Sequence, residues 1–329
     1  MRFDEARHTI TSGEMMQNTP TGIAVANSDI DDQRACIWPV MVLAHNEERH
    51  IAACLDSIFA ADPCHRFEVY VMANGCTDRT EAVVREYARK RPEVRLVSIA
   101  LGDKCNAWNV FVHDTAPACC RGHDILFFMN GDATVTPGSF KAMALALDDT
   151  PYANAVAAVP MGGRNSERDA RAMLREHALV GNLYALRGTF VERMQKSHVR
   201  LPLKLEGDDG MIGAFVKWDL RPHTNDTDDQ RVVVCPSAGF RFESLSPWRL
   251  SHWTMYWKRA VRYGRRSYEF RLLKPRVERL GLSALPSDVT VTYSGVRSLS
   301  LRWQGLYTLT NWVALKQMKK SAPRCLTSP

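Results

Sequence analysis

Short apolar runs alternate with segments of helical periodicity over residues 37–130, and this alternation constrains the fold more than any other feature of the chain. Buried strands are predicted at 40–44, 68–72, 94–100 and 125–129. Amphipathic helices are predicted between them at 47–60 and 80–89. This β-α-β-α order predicts an α/β fold with a mostly parallel sheet flanked by helices.

Composition divides the 329 residues into three predicted regions. Residues 1–35 are polar and aperiodic, which indicates a loosely ordered leader. Residues 36–245 carry the α/β pattern, with one more strand predicted at 231–234, and are expected to form the main domain. Residues 246–329 are expected to form a helical extension rich in aromatic and basic residues, since positions 258–279 hold nine Lys or Arg against two Glu.

Several classes of protein are disfavoured by the sequence. No apolar stretch approaches the roughly 18 residues of a membrane-spanning helix, and the acidic start lacks the features of a signal peptide. Nine cysteines without paired C-x-x-C spacing predict neither a zinc cage nor a disulfide framework. The net charge of +7 is compatible with nucleic acid, but no nucleic-acid-binding motif accompanies it. We therefore expect a cytoplasmic protein with reduced thiols and no nucleic-acid partner.

The loops that follow the predicted strands form the candidate site, because ligands of parallel sheets bind at the carboxyl ends of the strands. The first loop runs from Ala44 through His45, Asn46 and Glu47, where a helix is expected to begin. Free amides at a helix start suit the base and ribose of a nucleotide. The alternative interpretation is ordinary capping of that helix by Asn46.

The second and third loops offer an amide and an ammonium group. Asn74 follows the second predicted strand, where a planar amide either bonds the edge of a base or belongs to a simple turn. Lys104 stands where a third helix is expected to begin, within reach of a ribose or a diphosphate. A solvated surface lysine is the alternative.

The fourth loop carries Asn130, Gly131 and Asp132 directly after a hydrophobic strand. A carboxylate at this position is costly unless it is solvated, paired or metal-bound. A hard cation such as Mg²⁺ prefers one or two protein carboxylates plus substrate phosphates, which fits Asp132 with Asn130 beside it. A turn in which Asp132 accepts hydrogen bonds from nearby amides is the alternative.

A fifth element places Glu206, Asp208 and Asp209 within four positions, next to glycines. Like charges this close favour a shared cation or proton, and one of these carboxylates would then serve as a general base. The alternative is a solvated acidic helix start, stabilised by the helix dipole, since apolar residues continue from Met211 at helical spacing.

Taken in order, these elements resemble the family 2 glycosyltransferases, whose nucleotide-binding fold is called GT-A. The resemblance covers residues 37–264. The segments that carry it are 42–48, 74–80, Lys104 with Ala107 and Asn109, 130–132 at the D-x-D position, 208–209 at the E-D position, and 259–263 where some members have Q-x-x-R-W.

On the donor side, the resemblance implies roles for three residues. The position of Asn74 contacts the base, and the region of Lys104 lies beside the nucleotide. Asp132, as the last residue of D-x-D, binds a divalent cation, Mg²⁺ or Mn²⁺. Asn130 replaces the first Asp of that motif, which predicts weaker metal affinity or a single protein carboxylate on the ion.

On the acceptor side, the resemblance makes Asp209, next to Asp208, the base that deprotonates the acceptor hydroxyl.

Arg262, with Arg259, is expected to lie against the diphosphate, where guanidinium groups stabilise the charge that develops on the leaving group. The implied reaction is a single in-line displacement that inverts the anomeric carbon.

The implied function is that of a metal-dependent, hexosyltransferase-like enzyme that moves a sugar from a nucleotide sugar, with UDP as the expected nucleotide. Its acceptor would be a carbohydrate, lipid-linked or small-molecule hydroxyl in glycan, glycolipid or natural-product synthesis. The alternative is a catalytically silent nucleotide-sugar-binding or membrane-peripheral scaffold.

The end of the chain lies beyond the resemblance. An apolar helix face is predicted over 299–313, and three basic residues, Lys316, Lys319 and Lys320, follow it. Such a helix either contacts the inner face of a membrane as a peripheral element or packs on its own domain.

Overall fold

The fold is described from a computed structural model that covers residues 37–116, 124–163, 165–222, 227–243, 250–301, 303–305 and 307–322. The predicted leader, residues 1–35, lies outside this described part of the chain.

A single mixed sheet contains eight strands within the described residues, in the spatial order β3-β2-β1-β4-β7-β6-β8-β5. The strands are β1 (Ile37–Ala44), β2 (Arg66–Asn74), β3 (Val94–Ile99), β4 (Ile125–Asn130), β5 (Ala133–Val135), β6 (Ala155–Pro160), β7 (Leu183–Arg187) and β8 (Val232–Phe242).

Most strands of the sheet point in one direction. Strands β3, β2, β1 and β4 pair in parallel, with Val40 of β1 opposite Phe127 of β4, and β6 pairs in parallel with β8. Strand β7 runs antiparallel between β4 and β6, and β5 runs antiparallel to β8. The predicted mostly parallel sheet is therefore confirmed.

Helices lie on both faces of the sheet. The described residues form α1 (Ile51–Ala61), α2 (Thr80–Lys90), α3 (Lys104–Val110), α4 (Ser139–Asp148), α5 (Ser166–Glu176), α6 (Gly188–Lys196), α7 (Asp208–Lys217), α8 (Leu250–Leu280) and α9 (Tyr307–Ser321). A π-helical turn, Phe111–Thr115, extends α3, and a 3-10 segment, Val289–Ser298, lies between α8 and α9.

Each face of the sheet is covered by its own cluster of buried apolar side chains. Side chains of β1 and β4 that point to one face, such as Val42 and Phe127, pack with α1 and α4. On the other face, Met211 of α7 belongs to the same cluster as Tyr268 of α8 and Leu315 of α9. The C-terminal helices are thus packed into the core beneath α7.

Two predicted helix starts are wrong. Helix α1 begins at Ile51 and not at Glu47, since residues 48–50 form a separate turn in which the amide of His50 donates to the carbonyl of Glu47 at 3.0 Å. Helix α9 begins at Tyr307, since the chain before it follows the 3-10 segment and irregular backbone. Its buried face consists of Thr310, Asn311, Ala314, Leu315 and Met318.

The face predicted over 299–313 is therefore not one helical stripe: Trp303 is 82% exposed, Thr310 is buried, and Leu306 lies outside the described residues. Among the helices that the structure describes, none has the length and apolar character needed to cross a bilayer.

Candidate active site

The carboxyl ends of β1, β2 and β4 lie side by side and bring three of the predicted loops together. The amide of Gly131, which follows β4, donates to the carbonyl of Leu43 in β1 at 2.8 Å. His45 Nδ1, which follows β1, lies 2.6 Å from the carbonyl oxygen of Asn74 at the end of β2. The edge of the sheet thus presents these loops as one surface.

Asn46 joins the first loop to the second. Its backbone is left-handed, with φ of 58°, and its Oδ1 accepts hydrogen bonds from the amides of Thr77 at 2.8 Å and Asp78 at 3.3 Å. The predicted capping of α1 by Asn46 is wrong, because this oxygen caps the neighbouring loop instead. The expectation of free amides is also wrong, since the amides of Glu47 and Glu48 donate to Thr80 Oγ1 and Asp78 Oδ2.

Asn74 joins the second loop to the third. It is 4% exposed, and its Oδ1 accepts the amide of Asp103 at 2.8 Å, one residue before α3. The next residue, Gly75, has φ of +57°, and a Cβ there would lie 2.5 Å from the Cα of Gly102. Asn74 therefore positions the loops, and its contact with a base stays a prediction.

Asp132 is exposed and forms no hydrogen bond or ion pair with the described residues. The pKa of the nearby Glu47 carboxyl is raised by burial and by the negative charge of Asp132, although a hydrogen bond from His50 opposes the shift. Within the described part of the chain, the negative charge of Asp132 is thus not compensated by a cationic side chain, which favours a bound cation.

The donor set around Asp132 fits a cation that is held partly by its substrate. Among the described residues there is no group of three or more His, Cys, Asp or Glu that would enclose a metal on its own. The protein offers the Asp132 carboxylate and the half-buried amide of Asn130. One carboxylate supplemented by phosphate oxygens and water is typical of Mg²⁺ sites at nucleotides.

Helix α7 begins with the two predicted catalytic carboxylates. Asp208 Oδ2 lies 2.9 Å from Lys104 Nζ at the start of α3. Burial alone would lower the pKa of Lys104, but Asp208, together with Asp209, raises it above its ordinary value. Lys104 is therefore a cation paired with the start of α7, although its side chain is 38% exposed, and its contact with a nucleotide stays a prediction.

Asp209 forms an ion pair with a residue that the sequence interpretation did not select. Its Oδ1 lies 2.9 Å from Arg266 Nη1 on α8 and also accepts the amide of Gly210 at 2.8 Å. Its side chain is 18% exposed. The signal that would have found Arg266 is its spacing of four residues from Arg262, which places both on one face of a predicted helix.

The two arginines that were predicted to lie together against the diphosphate, Arg259 and Arg262, differ in their contacts. Arg262 Nε donates to Glu206 Oε2 at 3.1 Å, beside the turn that leads into α7. Arg259, one turn earlier, is exposed and forms no ion pair with the described residues. The structure thus brings Arg262 to the turn at Glu206, just before α7, and gives Arg259 no contact there within the described residues.

Glu269, also missed from the sequence, fixes α8 to this turn. It is fully buried, and its Oε2 accepts the amide of Glu206 at 2.9 Å. Its Oε1 accepts from Arg265 Nε at 3.0 Å and from the hydroxyl of Tyr293. Burial raises the pKa of Glu269, although these hydrogen bonds oppose the shift.

The segment Gly181 to Asn182 lies between the two halves of the site. The carbonyl of Asn182 accepts the amide of Asn130 at 3.4 Å. A Cβ at Gly181 would lie 3.2 Å from Lys104 Nζ and 3.7 Å from the Cβ of Asp209. The loop of Asp132 and the start of α7 therefore flank the same two residues.

Comparison with known sequences decides the family. The sequence model of glycosyl transferase family 2 matches residues 40–203, about half of the chain. The chain belongs to glycosyl transferase family 2. Among curated protein sequences, none matches this family member.

Solved structures agree with a GT-A glycosyltransferase fold. The mannosyltransferase PcManGT from Pyrobaculum calidifontis, solved with GDP-Man and Mn²⁺, is similar at 18% identity and a TM-score of 0.53, over 86% of this chain and 81% of that chain. TarS 1–349 from S. aureus, solved with UDP-GlcNAc, has 13% identity and a TM-score of 0.44, over 87% of this chain and 81% of that chain. The first of these likenesses shows the fold of this family 2 member.

The family match covers only one part of the site. It contains Lys104 and Asp132 and ends at residue 203, before the catalytic turn. Asp209 and the α8 residue that contacts it, Arg266, therefore lie outside the segment that the family model matches.

Proposed function

We propose that this family 2 member transfers a sugar from a nucleoside-diphosphate sugar to an acceptor hydroxyl, with inversion of the anomeric carbon. The observation that carries the proposal is that the loop of Asp132 and the carboxylate of Asp209 flank the same segment, Gly181 to Asn182. A cation site and a proton acceptor on two sides of one cleft are what an inverting transfer requires.

On the donor side, Asp132 with Asn130 would hold a divalent cation, Mn²⁺ or Mg²⁺. When bound, such an ion neutralises the charge of the departing diphosphate. Lys104 adds a fixed positive charge at the nucleotide, and the surface formed by Ala44, His45, Glu47 and Gly131 would receive the base and the ribose. UDP remains our first expectation for the nucleotide.

On the acceptor side, Asp209 would take the proton of the hydroxyl as its oxygen bonds to the anomeric carbon. The bond between that carbon and the diphosphate oxygen breaks, and the nucleoside diphosphate leaves with the electron pair. Opening of the ion pair between Asp209 Oδ1 and Arg266 would favour this role, because a guanidinium partner stabilises an ionised carboxylate and so opposes its taking up a proton.

The competing proposal is a silent nucleotide-sugar-binding scaffold, which the neutral Asn130 motivates. Incubation with Mn²⁺ or Mg²⁺ and a panel of UDP and GDP sugars separates the two. We expect one donor to bind by calorimetry and to release its nucleoside diphosphate slowly to water, with EDTA as the matched control. Binding without turnover in any acceptor mixture would favour the scaffold, and binding of no donor would contradict both.

Peripheral membrane contact, together with a cytoplasmic location, is kept as a proposal about where the protein acts. Trp303, Tyr307 and Trp312 are 82%, 63% and 48% exposed, respectively. Lys316 Nζ lies 5.0 Å from the ring centre of Trp312. Exposed aromatic rings beside lysines suit the interface of an anionic bilayer.

A further inference from the structure

A cavity of about 500 Å³ opens beside the catalytic turn, between the start of α7 and helix α8. Gly207 and Gly210, which bracket Asp208 and Asp209, form part of its wall. The remaining lining residues are Leu205, Met211, Tyr263, Arg266, Ser267, Phe270 and Arg271. The cavity thus adjoins the residues on either side of Asp208 and Asp209.

The lining of this cavity is basic and apolar. Arg266 and Arg271 supply two guanidinium groups, whereas no carboxylate belongs to the lining. Arg271 forms no ion pair with any residue in the described part of the chain. Leu205, Met211 and Phe270 supply an apolar wall. Arg266 is paired with Asp209, so Arg271 is the lining guanidinium without an acidic partner among the described residues. Guanidinium forks recognise phosphate or carboxylate groups.

The backbone is shaped to admit Arg266. A Cβ at Gly207 would lie 2.7 Å from Arg266 Cγ, and a Cβ at Gly210 would lie 2.7 Å from Arg266 Nη2. The side chain therefore lies along two glycines on its way to Asp209. Because the Arg266 side chain is 37% exposed, it remains accessible to a ligand in the cavity.

We propose that this cavity binds the acceptor, and that the acceptor is a hydroxyl compound that carries a phosphate or carboxylate group next to an apolar part. The anionic group would take Arg266 from Asp209 and would be held by Arg271 as well. This exchange would remove from Asp209 the guanidinium that opposes its taking up the proton of the hydroxyl. The inference rests on the proposed function, because it requires Asp209 to be the base.

Arg266 therefore has two alternative anionic partners. Without acceptor it is paired with Asp209, and this pair opposes proton uptake by the base. With an anionic acceptor it is paired with the substrate, and that opposition is removed. A neutral acceptor of the same shape would leave the ion pair closed, so acceptor charge determines specificity in this proposal.

The test uses phenyl phosphate, which combines an aromatic ring with a phosphate and has no hydroxyl to react. Calorimetry on the full chain should show binding of phenyl phosphate and none of benzyl alcohol at the same concentration. Arg266→Gln should weaken phenyl phosphate binding about tenfold or more, the scale of a lost charge-assisted pair. Arg271→Gln should weaken it less, and Arg266→Lys should retain part of the affinity because the charge is kept.

The matched control is Arg279→Gln, which removes an exposed arginine from the last turn of the same helix and should leave binding unchanged. Melting temperature and donor binding of each variant report on folding. If wild-type protein does not bind phenyl phosphate, or if Arg266→Gln binds it as well as wild type does, the inference is overturned.

Two further probes identify the source of the anion. Glycerol 3-phosphate represents a free phosphate ester, and lysophosphatidylglycerol in detergent represents a lipid headgroup. Preferred binding of either one, lost in Arg266→Gln, supports the anionic cavity and names its class. If donor turnover persists but wild type and Arg266→Gln bind phenyl phosphate equally well, this inference alone is overturned. If no donor binds or turns over, the proposed function is overturned.

Discussion

The donor side and the acceptor side of the cleft are built in different ways. On the donor side, the polar groups belong to loops that follow adjacent parallel strands, and those loops hydrogen-bond to each other through Asn46 and Asn74. On the acceptor side, the turn before α7 is held by Glu269 of α8, 63 residues further along the chain. Sheet topology alone forms the first side, whereas helix packing forms the second.

This difference teaches where specificity of the protein should lie. The donor side falls within the segment matched by the family, and the contacts of α8 fall beyond it. We therefore expect changes on the donor side to affect nucleotide and metal, and changes on the acceptor side to affect proton transfer and acceptor choice. The following predictions test that division.

The largest effect is expected from Asp209→Asn, which keeps the shape of the side chain and removes its proton affinity. Donor turnover should fall by a factor of about 10²–10⁴, the usual contribution of a general base, while donor affinity measured by calorimetry stays within about twofold. Asp229→Asn is the matched control, since Asp229 also pairs with a cation, Lys217, at the far end of α7. Loss of donor binding in Asp209→Asn would contradict the division.

Asp132→Asn should act on the other side of the cleft. Removing the only charged ligand that we assign to the cation should raise the half-saturating Mn²⁺ concentration for donor turnover by about 10–100-fold, by analogy with the loss of metal-site partners. The exposed Asp149 at the end of α4 supplies the control variant Asp149→Asn. An unchanged Mn²⁺ dependence would remove Asp132 from the metal site.

A stability comparison tests how tightly the donor loops are joined. Gly75 and Gly138 both have left-handed backbone, but a Cβ at Gly75 meets Gly102 at 2.5 Å and a Cβ at Gly138 meets nothing within 4 Å. Gly138→Ala should cost about 1–2 kcal/mol from backbone strain alone. Gly75→Ala should cost about 1–3 kcal/mol more, because packed backbone has to move. Urea unfolding measures the free energy of unfolding of both variants. Equal losses would show that the loops at Gly75 and Gly102 can move apart without strain.

The smallest effect is expected at the proposed membrane-contacting region. Lys319→Gln and Lys320→Gln should each weaken sedimentation with anionic phosphatidylglycerol vesicles about fivefold, the equivalent of about 1 kcal/mol per charge. Lys90→Gln, which changes an exposed lysine at the end of α2, should have no effect. If vesicle binding fell equally in all three variants, it would depend on the net charge of the protein and not on this region.

The sequence was informative where function depends on position along one strand or one helix. Lys104 and Asp209 could be named as candidates because one was expected at a helix start and the other among three carboxylates at a helix start. The resemblance to family 2 then decided between the functional and the structural interpretation of each. Asp132 could be selected because it follows a hydrophobic strand. These relations are local, so periodicity and turn residues reveal them without coordinates.

The rest depends on partners that are distant in the chain. Arg266 and Asp209 are in contact only because α8 packs across α7, and no local pattern encodes that crossing. The position of Asn46 in the sequence is typical of a helix cap, yet its Oδ1 accepts a hydrogen bond from the amide of Thr77, 31 residues away. Strand β6 was missed because its residues, mostly alanine and valine, fit a buried helix or a strand equally well.

The buried carboxyl of Glu269 has a consequence for engineering this protein. A truncated chain that ends at residue 243 would leave the amide of Glu206 without its acceptor and would uncover the apolar cluster that Tyr268 and Leu315 complete. Exchange of the C-terminal helices between homologues, as a route to new acceptors, would therefore have to carry the α7 turn with them. Under the proposed function, the groups that select the donor and those that select the acceptor lie on different elements, but they could not be exchanged independently of each other.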